Sequence, residues 1–323
     1  MSLTLAELDA AAAVVRRHFP PTPQFAWPLL GEHVGATVWV KHENQTPTGA
    51  FKVRGGLVYA DRARRERPDL RGFVSATRGN HGQSLAYAGR SAGLRVVIVV
   101  PQGNSPDKNA AMEGFGAELV VHGRDFQEAR EHAAGLGDEL GLEVVPSFHP
   151  DLVAGVATYA RELFDEAGAL DTVYVPVGMG SGICGVIGVR DLLGLPTEVV
   201  GVVSDRAPAT ALSFEAGTVV STSDAPTFVD GVACRTPVPE AIERIVGGAA
   251  RVLRVTEDES AEAMRVLLRT THQLPEPAGA IALAGLLSEH ERVAGRRVAV
   301  VLSGGNCDAA LLAEVLAGRT PSA

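Results

Sequence analysis

Short runs rich in valine alternate along the chain with longer amphipathic segments, and this alternation constrains the fold more than any other feature. The runs are apolar throughout, which is typical of strands buried on both faces of a parallel sheet. Parallel strands need crossover connections, so the pattern predicts an α/β fold with parallel-rich sheets covered by helices. Predicted strands cover residues 36–42, 72–76, 94–100, 117–121, 171–177, 198–203, 252–255 and 297–302. Predicted helices cover 51–67, 80–93, 126–140, 152–167 and 257–272, with an irregular connection over 206–239.

Composition narrows the class of protein. The 323 residues are 46% apolar and 21% charged, which is ordinary for a globular chain and excludes a disordered one. The net charge of −9 and the lack of a basic stripe argue against nucleic acid or an anionic membrane as a partner. The first residues carry acids where a secretory signal carries bases. With only three cysteines, the expectation is a globular, cytoplasmic protein.

Three glycine-containing segments directly follow predicted strands, where open α/β sheets bind ligands. They are residues 77–82 (TRGNHG), 178–185 (GMGSGICG) and 303–306 (SGGN). Each segment alone is explained by a tight turn. Three at equivalent positions favour one shared ligand site.

The segment 178–185 has two interpretations. Its glycines and the start of the following helix would present backbone N–H groups to a phosphate. The spacing Gly180-x-Gly182-x-x-Gly185, with Asp205 about 20 residues further on, also fits a dinucleotide fingerprint. A nicotinamide-dependent oxidoreductase is therefore an alternative at this stage.

Lysine is scarce, since only Lys41, Lys52 and Lys108 occur among 29 basic residues. An ammonium can lose its proton and become a nucleophile, which a guanidinium cannot do. Lys52 follows a glycine-containing turn and lies between Phe51 and Val53, so partial desolvation would favour the neutral amine. The alternatives are a solvated surface lysine for Lys52 and chance retention for the other two.

Six motifs follow one another along residues 22–308. They are Lys41-x-Glu43-Asn44, Gly49-Ala50-Phe51-Lys52-Val53-Arg54-Gly55, Gly79-Asn80-His81, the segment 178–185, Glu276-Pro277-Ala278-Gly279-Ala280 and Ser303-Gly304-Gly305-Asn306. In this order they resemble the serine/threonine dehydratase family, whose members are pyridoxal-phosphate enzymes of the tryptophan-synthase-β fold (fold type II) related to serine racemase.

The resemblance implies two α/β domains with pyridoxal 5′-phosphate between them. A large cofactor-binding domain would comprise residues 1–71 plus 146–323, and a small mobile substrate-binding domain would comprise 72–145. The resemblance also implies a homodimer acting on a small amino acid.

Site residues follow from the same resemblance. Lys52 would bind the cofactor as a Schiff base and later move the Cα proton, with Phe51 beside it. Asn80 would bind the ring hydroxyl, although helix capping is an alternative, and Ser303 would meet the pyridine nitrogen. The phosphate would be held by the backbone of Gly178, Met179, Gly180, Ser181 and Gly182. The substrate carboxylate would be bound by Thr77, Arg78, Gly79, Asn80 and His81.

The implied reaction is β-elimination, in which a β-hydroxy amino acid such as threonine or serine gives a 2-oxo acid and ammonia. β-Replacement, as in cysteine synthases, is an alternative with the same cofactor. A catalytically silent homologue that binds amino acids is another. The oxidoreductase built on Gly180-x-Gly182-x-x-Gly185 comes from a different class.

Arg78 departs from the family pattern, in which a small residue precedes Gly-Asn-His. In serine racemase this position carries the serine that acts as acid and base opposite the lysine, and arginine is a poor base. We therefore expect racemisation to be lost or weak. Arg78 is instead suited to a carboxylate, either the α-carboxylate or one on the substrate side chain. A bulkier or acidic β-hydroxy amino acid, such as phenylserine or hydroxyaspartate, is therefore a candidate substrate. The alternative is that Arg78 points outward into an ion pair.

Two further departures concern regulation. Cation-dependent relatives carry acids at the positions of Val203 and Ala209, so no metal site is expected. The chain ends soon after Asn306, so the regulatory domain of biosynthetic threonine dehydratases is not expected either. Glu276 would approach the cofactor edge, without an assigned role.

Overall fold

The computed structural model describes residues 3–124 and 126–322. In this part of the chain, fourteen α-helices and ten strands alternate, with two short 3-10 helices at Glu43–Gln45 and Asp230–Val232. The strands are β1 Gln24–Ala26, β2 Thr37–His42, β3 Gly72–Ala76, β4 Arg95–Val100, β5 Glu118–Val121, β6 Glu143–Val144, β7 Thr172–Pro176, β8 Glu198–Ser204, β9 Arg251–Val255 and β10 Arg297–Leu302. The helices are α1 Leu5–Arg16, α2 Pro28–Val34, α3 Lys52–Glu66, α4 Asn80–Ser91, α5 Pro106–Gly114, α6 Phe126–Leu140, α7 Pro150–Ala167, α8 Ser181–Leu192, α9 Ala209–Ala216, α10 Pro239–Gly248, α11 Glu257–Thr271, α12 Pro277–Ser288, α13 His290–Val293 and α14 Ala309–Leu316.

The strands form two sheets. The larger has the order β1-β2-β10-β7-β8-β9, and only its edge strand β1 runs antiparallel to its neighbour. The smaller has the order β5-β4-β3-β6 and is parallel throughout. All four strands of the smaller sheet come from the continuous stretch 72–144.

The α/β fold class predicted from the apolar runs is confirmed. Central strands are buried along nearly their whole length, as β3, β4 and β10 show, because helices cover both faces of each sheet. The prediction of an irregular connection over 206–239 is wrong in part, since α9 and the second 3-10 helix lie within it. The edge strands β1 and β6 have three and two residues, which is too short to leave a recognisable pattern.

Parallel pairing places the carboxyl ends of neighbouring strands at one edge of each sheet. The segments that follow β3, β7 and β10 are the three glycine-containing segments found in the sequence. They therefore lie at the carboxyl edges of the two sheets, and the space between these edges is called the cleft below. No helix among the described residues is both long and apolar enough to cross a membrane.

Candidate active site

Lys52 is the first residue of α3, and its backbone is held against the end of β10. Ala50 pairs with Gly304 in an antiparallel bridge, and the N–H of Phe51 donates to the carbonyl of Ser303 at 3.0 Å. The Lys52 ammonium lies 4.9 Å from the centre of the Phe51 ring. The lysine and the segment 303–306 therefore form one unit, although about 250 residues separate them in sequence.

The side chain of Lys52 makes no hydrogen bond or ion pair within the described part of the chain. Burial lowers the pKa of Lys52 from its usual range, and the nearby carboxylate of Glu276 only partly opposes this effect. A lysine with a lowered pKa has more of the neutral, nucleophilic amine at neutral pH. This environment contradicts the alternative of a solvated surface lysine.

The segment 178–182 approaches its neighbours too closely for larger residues at two positions. A Cβ on Gly178 would lie 2.6 Å from the carbonyl oxygen of Gly231, and one on Gly180 would lie 2.8 Å from the Cβ of Ala241. Gly180 has φ +95°, in the left-handed region that favours glycine. It precedes α8 without a side-chain cap, so the first N–H groups of this helix, from Ser181 and Gly182 onward, have no intrahelical partner. The segment is therefore suited to hold an anion through its backbone.

Met179 is the residue of this segment whose side chain differs most from glycine. Its sulfur lies 3.7 Å from the Sγ of Cys234, so the side chain packs against the loop before α10. The backbone amide is what an anion would use, and the thioether does not alter that chemistry.

The segment 77–81 forms a second uncapped helix start. The N–H of Gly79 donates to Thr77 Oγ1 at 3.1 Å, and Gly79 precedes α4 without a side-chain cap. Asn80 is the first helical residue, so it does not cap the helix. Arg78 is exposed and has no ion pair or hydrogen bond among the described residues, which contradicts the alternative of an outward ion pair.

His81 is buried, and its Nε2 atom has no hydrogen-bond partner among the described residues. Burial and the nearby Lys52 lower the pKa of His81 to about 3, so the imidazole is neutral at physiological pH. An unpartnered buried nitrogen beside Lys52 indicates a place where a bound molecule would supply the missing hydrogen bond.

Amide and carboxylate side chains connect the motifs across the cleft. Asn80 Nδ2 donates to Glu276 Oε1 at 2.7 Å, and Asn306 Nδ2 donates to Asn80 Oδ1 at 2.8 Å and to the Thr48 carbonyl at 2.8 Å. Asn80 is thereby fixed from both sides. Asn306 and Glu276 lie in motifs that the sequence singled out, but the sequence did not indicate these contacts. Ser303 is buried nearby, and its Oγ donates to the carbonyl of Ala278 at 3.2 Å.

Behind Lys52, a buried ionic network holds the start of α3. Arg54 donates to Glu43 at 2.7 and 3.0 Å and to Glu162 at 2.8 Å, and Lys41 donates to Glu162 at 2.7 Å. The side chains of Arg54, Lys41 and Glu43 are 0% exposed. The sequence showed Lys41, Glu43 and Arg54 as parts of motifs, but nothing in it pointed to Glu162.

Glu276 carries a prediction for stability. Burial raises the pKa of Glu276 to about 7, and the opposing effect of nearby Lys108 is smaller. Between about pH 4.5 and pH 7, the folded protein therefore keeps a proton on this carboxyl that the unfolded chain has lost. This carboxyl therefore favours folding at low pH and loses that advantage as the pH rises from about 4.5 to 7. In the cofactor-free protein, we expect the free energy of unfolding of Glu276→Gln, relative to that of wild type, to rise by about 2.5 kcal/mol from pH 5 to pH 8. Urea unfolding at both pH values measures this difference. A pH-independent difference would contradict this expectation; the exposed Glu314→Gln is the control.

The residues present fit one kind of group. A part-buried lysine with a lowered pKa, a backbone cradle for an anion and an imidazole nitrogen without a hydrogen-bond partner among the described residues lie around a single cleft at the carboxyl ends of parallel strands. This donor set matches an aldehyde-bearing phosphate ester, which a lysine can hold covalently and a helix start can hold through its phosphate. The fold and site thus define an enzyme of the pyridoxal-phosphate class.

Comparison with known proteins agrees. Residues 15–304 match the family described as pyridoxal-phosphate dependent enzyme. The L-threonine ammonia-lyase of Thermotoga maritima is 30% identical over 97% of this chain and 78% of its own length. The L-threo-3-hydroxyaspartate ammonia-lyase of a Pseudomonas species is 31% identical over 92% of this chain and 93% of its own length. The structure of the processed form of threonine deaminase isoform 2 from Solanum lycopersicum superposes with a TM-score of 0.88 at 26% identity, covering 97% of this chain and 94% of that one.

The chain therefore belongs to the pyridoxal-phosphate dependent enzyme family, with the type II fold, and its cofactor is pyridoxal 5′-phosphate. It spans 56% of the length of the biosynthetic threonine dehydratases that it matches. The nicotinamide alternative is wrong, because the family that matches residues 15–304 is pyridoxal-phosphate dependent. Val203 is buried in β8 and Ala209 begins α9; the lack of a cation site there stays a prediction.

Proposed function

We propose that this enzyme catalyses the dehydration and deamination of a β-hydroxy amino acid to a 2-oxo acid and ammonia. The observation that carries the proposal is Lys52, placed with a lowered pKa where the segments 77–81, 178–182 and 303–306 converge. Two relatives named as L-threo-3-hydroxyaspartate ammonia-lyases are matched over 95% and 93% of their length, which supports elimination.

Each part of the site has a proposed task. When bound, pyridoxal 5′-phosphate supplies an electron sink for the substrate Cα. Lys52 would hold the cofactor and remove the Cα proton, with Phe51 beside it. Asn80 would bind the ring hydroxyl, and Ser303 would meet the ring nitrogen. The phosphate would be held by the backbone of Gly178, Met179, Gly180, Ser181 and Gly182.

The α-carboxylate of the substrate would be bound at the uncapped start of α4 by Thr77, Gly79, Asn80 and His81, and Arg78 beside them would bind a carboxylate on the substrate side chain. As Lys52 removes the Cα proton, the C–H electron pair would expel the β-hydroxyl. The departing hydroxide, together with one proton equivalent to that taken from Cα, would make up the water released. The enamine then takes up water and gives the 2-oxo acid and ammonia. We propose that residues 72–145 are a small mobile domain, whose closure would exclude water from this chemistry.

Ammonia release tests the proposal. The purified protein is loaded with pyridoxal 5′-phosphate and given L-threonine, L-serine, L-threo-3-hydroxyaspartate and phenylserine, with no second nucleophile. Ammonia and the matching 2-oxo acid are expected from at least one substrate. Turnover that requires a thiol would instead support β-replacement, and no turnover with either would support a silent homologue.

We propose, because of Arg78, that the enzyme prefers a substrate with an acidic side chain. It is an exposed cation without a partner in the described chain, beside the proposed carboxylate site. Guanidinium and carboxylate form bidentate hydrogen bonds that a methyl group does not provide. The name of the Pseudomonas relative supports the same substrate class.

Arg78→Gln is expected to lower kcat/KM for L-threo-3-hydroxyaspartate by about tenfold more than for L-threonine, which corresponds to ~1.4 kcal/mol. Steady-state kinetics with both substrates measures this ratio. The matched control is Arg95→Gln, which removes a guanidinium from a surface pair with Glu118 and should leave the ratio unchanged. Equal losses of kcat/KM for both substrates would show that Arg78 does not recognise the side chain of the substrate.

We also propose a homodimer in the cytoplasm. The dimer rests on the resemblance to the dehydratase family, and the location is supported by three cysteines that are all free. Sedimentation of the cofactor-loaded protein should give twice the mass of one 33.7 kDa chain.

A further inference from the structure

Of the three lysines, only Lys52 is explained by the proposed chemistry. Lys41 belongs to the buried network around Glu162. Lys108, in the first turn of α5, has no task in the reaction, although its side chain is only 11% exposed. In a chain that uses arginine almost everywhere, its position in the cleft calls for a physical explanation.

The ammonium of Lys108 connects the part of the chain that forms the smaller sheet with the part that forms the larger sheet. The ammonium pairs with the carboxylate of Asp230, which lies in the 3-10 helix after β8 and α9. Lys108 itself comes from the stretch that forms the smaller sheet. A second contact lies beside this pair, because Ser105 donates to Asp308 Oδ1 at 2.5 Å and accepts the N–H of Lys108 at 3.2 Å. The start of α5 is therefore fastened to the opposite side of the cleft at two points.

The aliphatic part of Lys108 supports the turn that precedes α4. A Cβ on Gly79 would lie 2.9 Å from Lys108 Cδ, so the lysine stem occupies the space that a side chain at position 79 would take. A flexible methylene chain can lie flat against a glycine backbone while its ammonium reaches further. Arginine would place a broad planar group there, which fits less well.

The other end of the ion pair adjoins the phosphate-binding segment. Gly231 follows Asp230, and its carbonyl oxygen would lie 2.6 Å from a Cβ placed on Gly178. The pair thus links the turn at Gly79, on one side of the cleft, with the loop at Gly178, on the other. Breaking it would leave both segments with fewer constraints.

We propose that Lys108 is a positioning residue. Its ion pair with Asp230, called the clasp below, connects the two domains and holds the turn 77–81 in place to receive the substrate carboxylate. This inference rests on the proposed function, which gives the turn its ligand. Burial disfavours the ammonium of Lys108, but the carboxylates of Asp230 and Glu276 outweigh burial and raise its pKa. The clasp therefore remains charged at neutral pH.

The experiment compares Lys108→Met, Asp230→Asn, the double variant and Lys108→Arg, all loaded with pyridoxal 5′-phosphate. We expect Lys108→Met to raise KM about tenfold and to change kcat less than about threefold, because Lys108 acts through the turn. Asp230→Asn should behave alike, and the double variant should be no worse than either single one, since both remove one interaction. Lys108→Arg, which keeps the charge, should recover part of the loss.

Hydrogen exchange supplies a readout without substrate. Amides of residues 77–82 should exchange about tenfold faster in Lys108→Met, since less free energy opposes local opening. Arg95→Met, which breaks a pair inside the smaller domain, is the control and should leave KM and this exchange unchanged.

Three outcomes would overturn the inference: a fall in kcat at constant KM, additive effects of the two single variants, or unchanged exchange at residues 77–82. Failure of the wild-type protein to release ammonia would instead refute the proposed function. The exchange measurement still tests the clasp in that case, because it requires no turnover.

Discussion

Replacement of Lys52 by alanine is expected to lower kcat by at least about 10³-fold, since one group serves as both covalent anchor and proton-transfer base. Borohydride reduction of the wild-type holoenzyme should fix the cofactor on the peptide that contains Lys52, as read by mass spectrometry. The alanine variant should show no such adduct. Its thermal stability should stay close to that of wild type, because the Lys52 side chain makes no hydrogen bond or ion pair in the described chain.

Lys52→Arg is the matched variant, because it keeps a cation in the same place but cannot form an imine. It should be as inactive as Lys52→Ala. If either variant kept normal turnover, or if the adduct appeared on Lys41 or Lys108, the assignment of Lys52 would be wrong.

Arg54→Met is expected to destabilise the protein by about 3–5 kcal/mol, because it leaves buried carboxylates without their main partner. Arg54 hydrogen-bonds Glu43, Glu162, Thr22 and Thr158, and its side chain is 0% exposed. Without it, Lys41 is the one remaining cation, among the residues the structure describes, that pairs with the network of these two carboxylates, through Glu162. Urea unfolding of the cofactor-free protein at pH 7 measures the loss.

Arg95→Met is the control for this prediction as well. Its pair with Glu118 is exposed, and its removal should leave the free energy of unfolding nearly unchanged. Equal destabilisation by the two variants would contradict a special role for the buried network. Since Arg54 lies two residues after Lys52 on α3, the network also fixes the start of the helix that carries the reactive lysine.

The sequence alone was sufficient for the fold class and, through its motifs, for the identity of the cofactor. Strands such as β3, β4 and β10 are buried on both faces, so each leaves a continuous apolar run that is readable locally. Glycines at 178, 180 and 182 follow one of these runs directly, and Lys52 stands out because lysine is scarce in this chain. Each of these signals is contained within a few neighbouring residues, so it can be recognised without the tertiary structure.

Contacts between distant segments were decided only by the tertiary structure. Asn80 meets Glu276 across 196 residues, Asn306 meets Asn80 across 226, and Lys108 meets Asp230 across 122. The sequence around a carboxylate or an amide shows no periodicity that indicates which distant residue it contacts. The raised pKa of Glu276 and the lowered pKa of Lys52 arise from burial, which depends on how two sheets close on one cleft. The sequence by itself therefore determined which residues could do chemistry, and the packing of the domains decided which of them are charged, paired and held in place.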